Sequence, residues 1–345
     1  MTRSQNNGRR YKLLIIAIDA MGGDYAPTEI VKGAVLGSAQ YNIPIILVGD
    51  QDAIKHCIPP EHMGSKLITI QHAGDVIKMD EHAAAMRTRT DASIVVAAKL
   101  VKQGEADALI GFGNTAATMA TATLTFGRIK GIDRPPIASV WPGRNGPTML
   151  LDVGAVVDCE INNLVEFALM GSAYMEKVLH VPSPRVAVLS IGEEKTKGNK
   201  LVQDIHEPLE KLSLNFIGNV ESRHIFANMA DVIVADGFAG NLILKFAEGI
   251  IEELKYRIKN DLRSHPLSYI PIILLLPLLM RLKKSFDYSE YGGGPLLGLN
   301  HICVIGHGRS KAKAMTSAIR TAKEAVENNL VQTIRDAVES AQLSQ

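Results

Sequence analysis

Five short stretches hold the residues best suited to chemistry. They are Asp19-Ala-Met-Gly22-Gly23-Asp24, Gly111-Phe-Gly113-Asn114-Thr115, Asp152-Val-Gly154, Gly192-Glu-Glu-Lys-Thr-Lys197-Gly198-Asn199 and Asp236-Gly-Phe-Ala-Gly240-Asn241. Each sets a carboxylate, an amide or a lysine beside glycine. Glycine lets the backbone turn sharply and lets a ligand approach main-chain amides closely. Amides at a helix start, together with the helix dipole, attract anions, and lysine supplies a point charge for phosphate. The chemistry implied is the holding of an anion. Gly306-His307-Gly308 adds an imidazole that titrates near neutrality, a role that competes with simple structural hydrogen bonding.

These stretches need elements to position them. Apolar runs precede them at Leu13–Ile18, Ala108–Ile110, Thr148–Leu151, Arg185–Ile191, Val232–Ala235 and Ile302–Ile305, with further runs at Ile45–Val48, Leu67–Ile70 and Phe216–Val220. Short runs that are apolar throughout suit strands buried on both faces of a parallel sheet. Helices are expected after Pro27, over Ala92–Val101 (capped by Asp91 or Ser93), from Asn114 or Thr115 to Phe126, and over Asn163–Leu179, Leu242–Arg257 and Lys311–Glu327. The pattern predicts an α/β fold with a mostly parallel sheet. Loops that follow parallel strands gather along one edge, so the five stretches are expected to converge on one site. Arg87 and Arg89 read as further anion ligands or as part of a solvated loop.

A chain of 345 residues can bury a large core. A net charge of +1 gives no electrostatic ground for nucleic-acid binding. Cys57, Cys159 and Cys303 are far apart and form no CxxC pair, so they read as reduced thiols in a cytosolic protein, with no zinc site. Neither a metal nor a cofactor is expected, and no GxGxxG opens the first βαβ unit as a dinucleotide site requires. Met1–Tyr11 is polar and basic and reads as a disordered tail. His265–Lys284 is apolar but interrupted by proline, too short for an ordinary spanning helix, and flanked by Lys255, Arg257, Lys259, Arg263, Arg281, Lys283 and Lys284. It is read either as an element lying on an anionic membrane surface, through Ile272, Ile273, Leu274, Leu275, Leu276, Leu278 and Leu279, or as a buried or dimer-forming segment.

Several motifs fall in the order and spacing of one family. They are Ile18–Asp24, Gly113-Asn114-Thr115, Leu151–Ala155 with Asp158-Cys159, Lys197-Gly198-Asn199, Asp236–Asn241, Asp287–Gly293 and His307-Gly308. From about Tyr11 to about Leu330 the chain resembles the bacterial acyl-acyl carrier protein:phosphate acyltransferases, the PlsX family. The resemblance implies a three-layer α/β/α fold similar to phosphotransacetylases and isocitrate/isopropylmalate dehydrogenases. It also implies a homodimer, peripheral membrane attachment, and synthesis of acyl-phosphate from acyl-acyl carrier protein and inorganic phosphate, to supply the membrane's glycerol-3-phosphate acyltransferase. A phosphotransacetylase using acyl-coenzyme A is the enzymatic alternative, and a non-catalytic membrane-binding scaffold the other.

Under that resemblance, residues 12–330 form one catalytic domain with an insertion at about 258–285, and 331–345 form a helix or tail. The expected phosphate seat is the amides of Gly113–Thr115, supported by Lys197 and Asn199, with Asp19, Gly22, Gly23, Asp152, Gly198 and Gly240 shaping substrate binding. Asn114 or Asn241 is the candidate oxyanion donor, Asp236 orients a donor or positions phosphate, and His307 assists the leaving thiolate.

Overall fold

The computed structural model describes residues 13–264, 275, 277 and 292–343. The expected tail, most of the apolar segment (Ile272, Ile273, Leu274, Leu276, Leu278, Leu279) and Asp287–Tyr291 lie outside them; Leu275 is described and exposed.

Two sheets form the frame. In the first, β1 (Ile16–Asp19), β2 (Ile45–Gly49), β3 (Ile68–His72), β4 (Ala108–Gly111) and β11 (Ile302–Ile305) run parallel, and β10 (Gly294–Leu296) runs antiparallel at the edge beside β11. In the second, β6 (Gly146–Leu151), β9 (Val232–Val234), β7 (Arg185–Ser190) and β8 (Asn215–Glu221) are parallel, and β5 (Ala138–Gly143) makes an antiparallel hairpin with β6. The inner strands β1, β4, β6 and β9 are buried along almost their whole length, which is why their sequences are apolar without alternation.

One expectation needs correction. The sheets meet through an antiparallel bridge between Ile137 and Leu296. Direction therefore reverses at β11–β10, at β10–β5 and again at β5–β6. Three reversals make β6, β9 and β7 run opposite to β1, β4 and β11. The carboxyl ends of the two parallel sets face opposite edges, and the five glycine-bearing loops do not gather on one. The sequence reading omitted β5 and β10, the strands that carry the reversal.

Helices pack on the sheet faces. The observed α1 (Thr28–Tyr41) follows Pro27 and ends at Asn42 in the left-handed region. The helix α3 (Ser93–Lys102) starts from Ala92 without a side-chain cap; Asp91 instead accepts from the Gly74 amide at 2.8 Å. Asn114, not Thr115, caps α4 (Thr115–Phe126). The longest helix described, α8 (Gly237–Ser264), extends well beyond the expected Leu242–Arg257 at both ends. Phe238, Leu242, Phe246, Ile250 and Leu254 make an exposed apolar row along it at four-residue spacing. Near the C-terminus, α10 (Leu330–Leu343) buries Leu330, Ile334 and Val338 in the core. No helix among the described residues is long and apolar enough to cross a membrane.

Candidate active site

The first sheet brings one set of expected residues together. Asp19 ends β1 and is only 2% exposed. Its Oδ1 accepts from the Met21 amide at 3.1 Å and so folds the Gly22-Gly23 turn back over the strand end. Burial pushes its carboxyl above the ordinary range, against the pull of bonds that include the Met21 and Gly22 amides. Glycine is required here: a Cβ on Gly22 would stand 2.6 Å from Asp19 Oδ2 and 2.8 Å from Gly113 Cα. The turn is tied to the β11 loop as well, since the Asp24 amide donates to the Gly308 carbonyl at 2.9 Å. Asp19, Gly22, Gly23, Gly113, Asn114, Thr115 and the His307 loop thus share one edge.

Asn114 is fully occupied as a brace. Its Oδ1 accepts from Ala117 N at 3.0 Å, and its Nδ2 donates to the carbonyls of Lys78, Met79 and Glu81 at 3.3, 3.1 and 2.7 Å. This bridge spans more than thirty residues of sequence and clamps the 78–81 loop to the start of α4. The amides of Thr115 and Ala116 are the positions a helix leaves without internal partners, and both residues are exposed. They present the positive end of α4 to whatever enters from solvent. Arg89 is engaged by carboxylates of its own loop. It pairs with both Asp75 and Glu81 and donates to the Val76 carbonyl at 2.9 Å, which secures the same loop; it holds the Asp75 carboxyl below its ordinary range, and the Lys78 amide, then Arg89, lower that of Glu81.

The second sheet holds the other set at the opposite edge. Asp152 is buried and receives four backbone amides: Ile137 and Gly154 on Oδ1, at 2.9 and 3.2 Å, and Ala155 and Val156 on Oδ2, at 2.8 and 2.6 Å. Burial raises its carboxyl and those four amides pull it down. Asp236 Oδ1 caps α8 through Ala239 N at 2.7 Å. Gly240 packs its Cα on the Asp152 backbone, where a Cβ would overlap the carbonyl oxygen. Asn241 is exposed and faces Gly154. Asn199 Oδ1 caps the short helix α6 (Lys200–Asp204) through Val202 N at 2.9 Å, next to Gly198 and the exposed Lys197. Within the chain this group is not brought to Gly113–Thr115.

The two edges are linked by α8. It starts just after Asp236 and runs to the first edge, where Lys245 Nζ lies 3.0 Å from His307 Nε2 and 2.9 Å from Glu248 Oε2. Nε2 faces the Lys245 ammonium and Nδ1 faces the Arg309 amide at 3.3 Å, so both ring nitrogens meet donors, which opposes adding a further proton to the ring. Burial, then the Lys245 charge, lowers the His307 pKa; Glu248 at 3.9 Å opposes this. Sequence reading missed Lys245 and Glu248. The available signal was charge on the inner face of α8, between Leu244, Ala247 and Ile251.

These groups border a cavity of about 220 Å³ between the two sheets and α8. Thr115, His307 and Ser310 form a polar wall, and Val140, Trp141, Pro142 and Phe226 an apolar one, under a roof of α8 residues. One ligand can thus present a charged group to the helix start and an apolar tail to the other side.

The model of a family described as "Fatty acid synthesis protein" matches residues 14–333. A phosphate acyltransferase of Heliobacterium modesticaldum is 49% identical over 323 residues, which cover 93% of this chain and 96% of that protein. Another, of Pelotomaculum thermopropionicum, is 48% identical over 329 residues, covering 95% and 96%. Among solved structures, a phosphotransacetylase from Streptococcus pyogenes superposes with a TM-score of 0.59 at 19% identity, over 91% of this chain and 94% of that one. At that identity the likeness is one of fold.

Proposed function

The chain belongs to the phosphate acyltransferase family, and on that premise we propose that it transfers a fatty acyl group from acyl-acyl carrier protein to inorganic phosphate, giving acyl-phosphate for phospholipid synthesis. The observation that carries this reading is the two-sided cleft: the start of α4 and the Lys245–His307 pair on one side, an apolar wall on the other.

Phosphate is anionic at neutral pH and needs no strong base to act as a nucleophile. It needs an electropositive seat and correct aim. The amides of Thr115 and Ala116 provide the seat, and Asp19, Gly22, Gly23, Gly113 and Asn114 shape it. A phosphate oxygen attacks the thioester carbonyl carbon, and the oxyanion that develops meets the Lys245 ammonium. The carbon–sulfur bond then breaks; the carrier's thiol leaves as thiolate and takes a proton from Lys245 or solvent. Neutral His307 holds the lysine in place, and Glu248 balances its charge. Asp152, Asp236, Gly240 and Asn241 support the reaction by fixing the origin of α8. Lys197, Gly198 and Asn199 stand apart within one chain and are assigned a weaker part in phosphate binding.

The exposed row Phe238, Leu242, Phe246, Ile250 and Leu254 suits pairing with a second copy, because an uncovered apolar face of this length is costly in water. In the sequence the apolar segment 265–284 follows directly on Ser264, the last residue of α8. A homodimer would present two such segments together to an anionic membrane surface, near the membrane-bound glycerol-3-phosphate acyltransferase, from a cytoplasmic protein. Lys255 and Lys259 are exposed on α8 and offer an acidic carrier protein a docking charge.

The test is a phosphate-dependent assay with a long-chain acyl-carrier protein and labelled phosphate, trapping the product with hydroxylamine. Labelled acyl-phosphate that disappears with Lys245→Met is expected. Product from acyl-coenzyme A alone would overturn the donor assignment, and silence with both donors would overturn the enzymatic reading.

A further inference from the structure

The polar groups of the cleft are mostly donors or already engaged. Lys245 Nζ and the amides at the start of α4 can only donate. Both His307 nitrogens face donors, Lys245 Nζ at 3.0 Å and the Arg309 amide at 3.3 Å. Glu248 Oε2 takes Lys245 Nζ at 2.9 Å, and its charge opposes that of an entering anion. The Ser139 hydroxyl oxygen accepts from the Trp141 indole at 2.8 Å. The side-chain acceptors that remain in the polar wall are the hydroxyls of Thr115 and Ser310.

The fold keeps Ser310 for this use. It stands two residues before α9 (Ala312–Glu327), and a serine so close to a helix start is ordinarily spent on the first amides. Here the Ala312 amide donates instead to Glu29 Oε2 at 2.9 Å, a partner on α1 that lies 283 positions away. The Ser310 amide donates to the His307 carbonyl at 2.8 Å, closing a turn that sets the residue in the cavity wall. None of the described residues hydrogen-bonds to its side chain. The turn also meets the approach to α4. A Cβ on Gly23 would stand 3.1 Å from the Phe112 carbonyl oxygen and 3.3 Å from that of Gly308, so the loops leading to Thr115 and to Ser310 converge there.

We infer that the Ser310 hydroxyl accepts the hydrogen bond of the phosphate's own P–O–H group, and that it thereby selects phosphate over anions that carry no proton. This inference rests on the phosphate-transfer reading above and adds to it the residue that recognises the nucleophile. Inorganic phosphate keeps at least one proton at neutral pH, so a seat made only of donors leaves that proton unmet. Sulfate has the same tetrahedral shape and no proton to give. A hydroxyl can accept from P–O–H and donate its own hydrogen to a second phosphate oxygen. Engaging the protonated oxygen leaves a deprotonated one to attack the thioester. Thr115 is exposed and Ser310 half-buried, so water competes less for the bond that Ser310 makes.

The experiment measures the phosphate KM, and the inhibition constant of sulfate against phosphate, in the wild type, Ser310→Ala and Ser310→Thr. Ser310→Ala is expected to raise the phosphate KM about tenfold and to leave the sulfate constant where it was, so that the preference for phosphate falls by the same factor. Ser310→Thr keeps the hydroxyl and should restore the phosphate KM. Glu29 supplies the helix cap, so the alanine variant should melt with the wild type. Equal losses for phosphate and sulfate would overturn the inference, since Ser310 would then donate only or shape the loop. An unchanged phosphate KM in Ser310→Ala, or no recovery in Ser310→Thr, would overturn it too. Absence of acyl-phosphate from the wild type with every donor would instead overturn the reaction on which it rests.

Discussion

Asp19 and Asp152 invite comparison. Each is a buried aspartate that closes an apolar strand and precedes a glycine turn, and each is pushed upward in pKa by burial. Asp152 meets four backbone amides across residues 137–156 and so has no oxygen left for a ligand's donor. Asp19 accepts from the Met21 amide, folding Gly22-Gly23 against Gly113 at the edge where Thr115, His307 and Lys245 surround the cleft. One motif is thus used twice. At Asp152 it is spent on architecture, and at Asp19 it shapes a site.

The largest effect expected tests the first half of that contrast. Asp152→Ala would strip four buried or half-buried amides of their acceptor at a cost of at least about 3 kcal/mol, seen as a lower urea midpoint or loss of soluble protein. Asp19→Asn should instead retain most of the stability and lose activity. Equal destabilisation by the two variants would break the comparison.

Next in size is Lys245→Met. Losing the cation that meets the oxyanion should lower kcat about a hundredfold, with the circular dichroism spectrum unchanged. Thr115→Pro is a finer probe. Proline is well tolerated at the first helical position, and Asn114 already has the extended ψ of 113° that a following proline favours. The substitution deletes one amide while keeping the helix, so the phosphate KM should rise about tenfold.

A pH profile sharpens the polar wall. The folded pKa of His307 is depressed, chiefly by burial and then by Lys245. The group therefore favours folding at pH above the ordinary histidine value near ~6.5. That contribution is lost as pH falls toward the depressed value. The acid limb of kcat should lie below the ordinary value and shift upward in Lys245→Met, where a neighbouring charge is gone. A limb that stays put would detach His307 from Lys245. The smallest effect is expected for Lys197→Ala, on the edge away from the cleft: it should raise the phosphate KM less than Thr115→Pro does, and a larger rise would bring its loop into the site.

Much of this was readable without coordinates. The parallel strands follow from apolar runs that no water-facing strand could afford. The capping role of Asn114 follows from a short side chain standing one residue before a helix. The same property caps helices at Asp236 and Asn199. The motif order identified the family. These are local properties, carried by a few consecutive residues.

What the tertiary structure alone decided was direction and distance. The run Trp141-Pro142-Gly143 and the pair Gly294-Pro295 carry residues that ordinarily mark turns, yet both lie within the antiparallel strands that reverse the second sheet. That reversal separated Lys197 from Thr115. The length of α8 then brought Lys245 to His307 across 62 positions of sequence. A contact of that range depends on how strands pair and how far a helix runs over them, and no local stretch of residues encodes it.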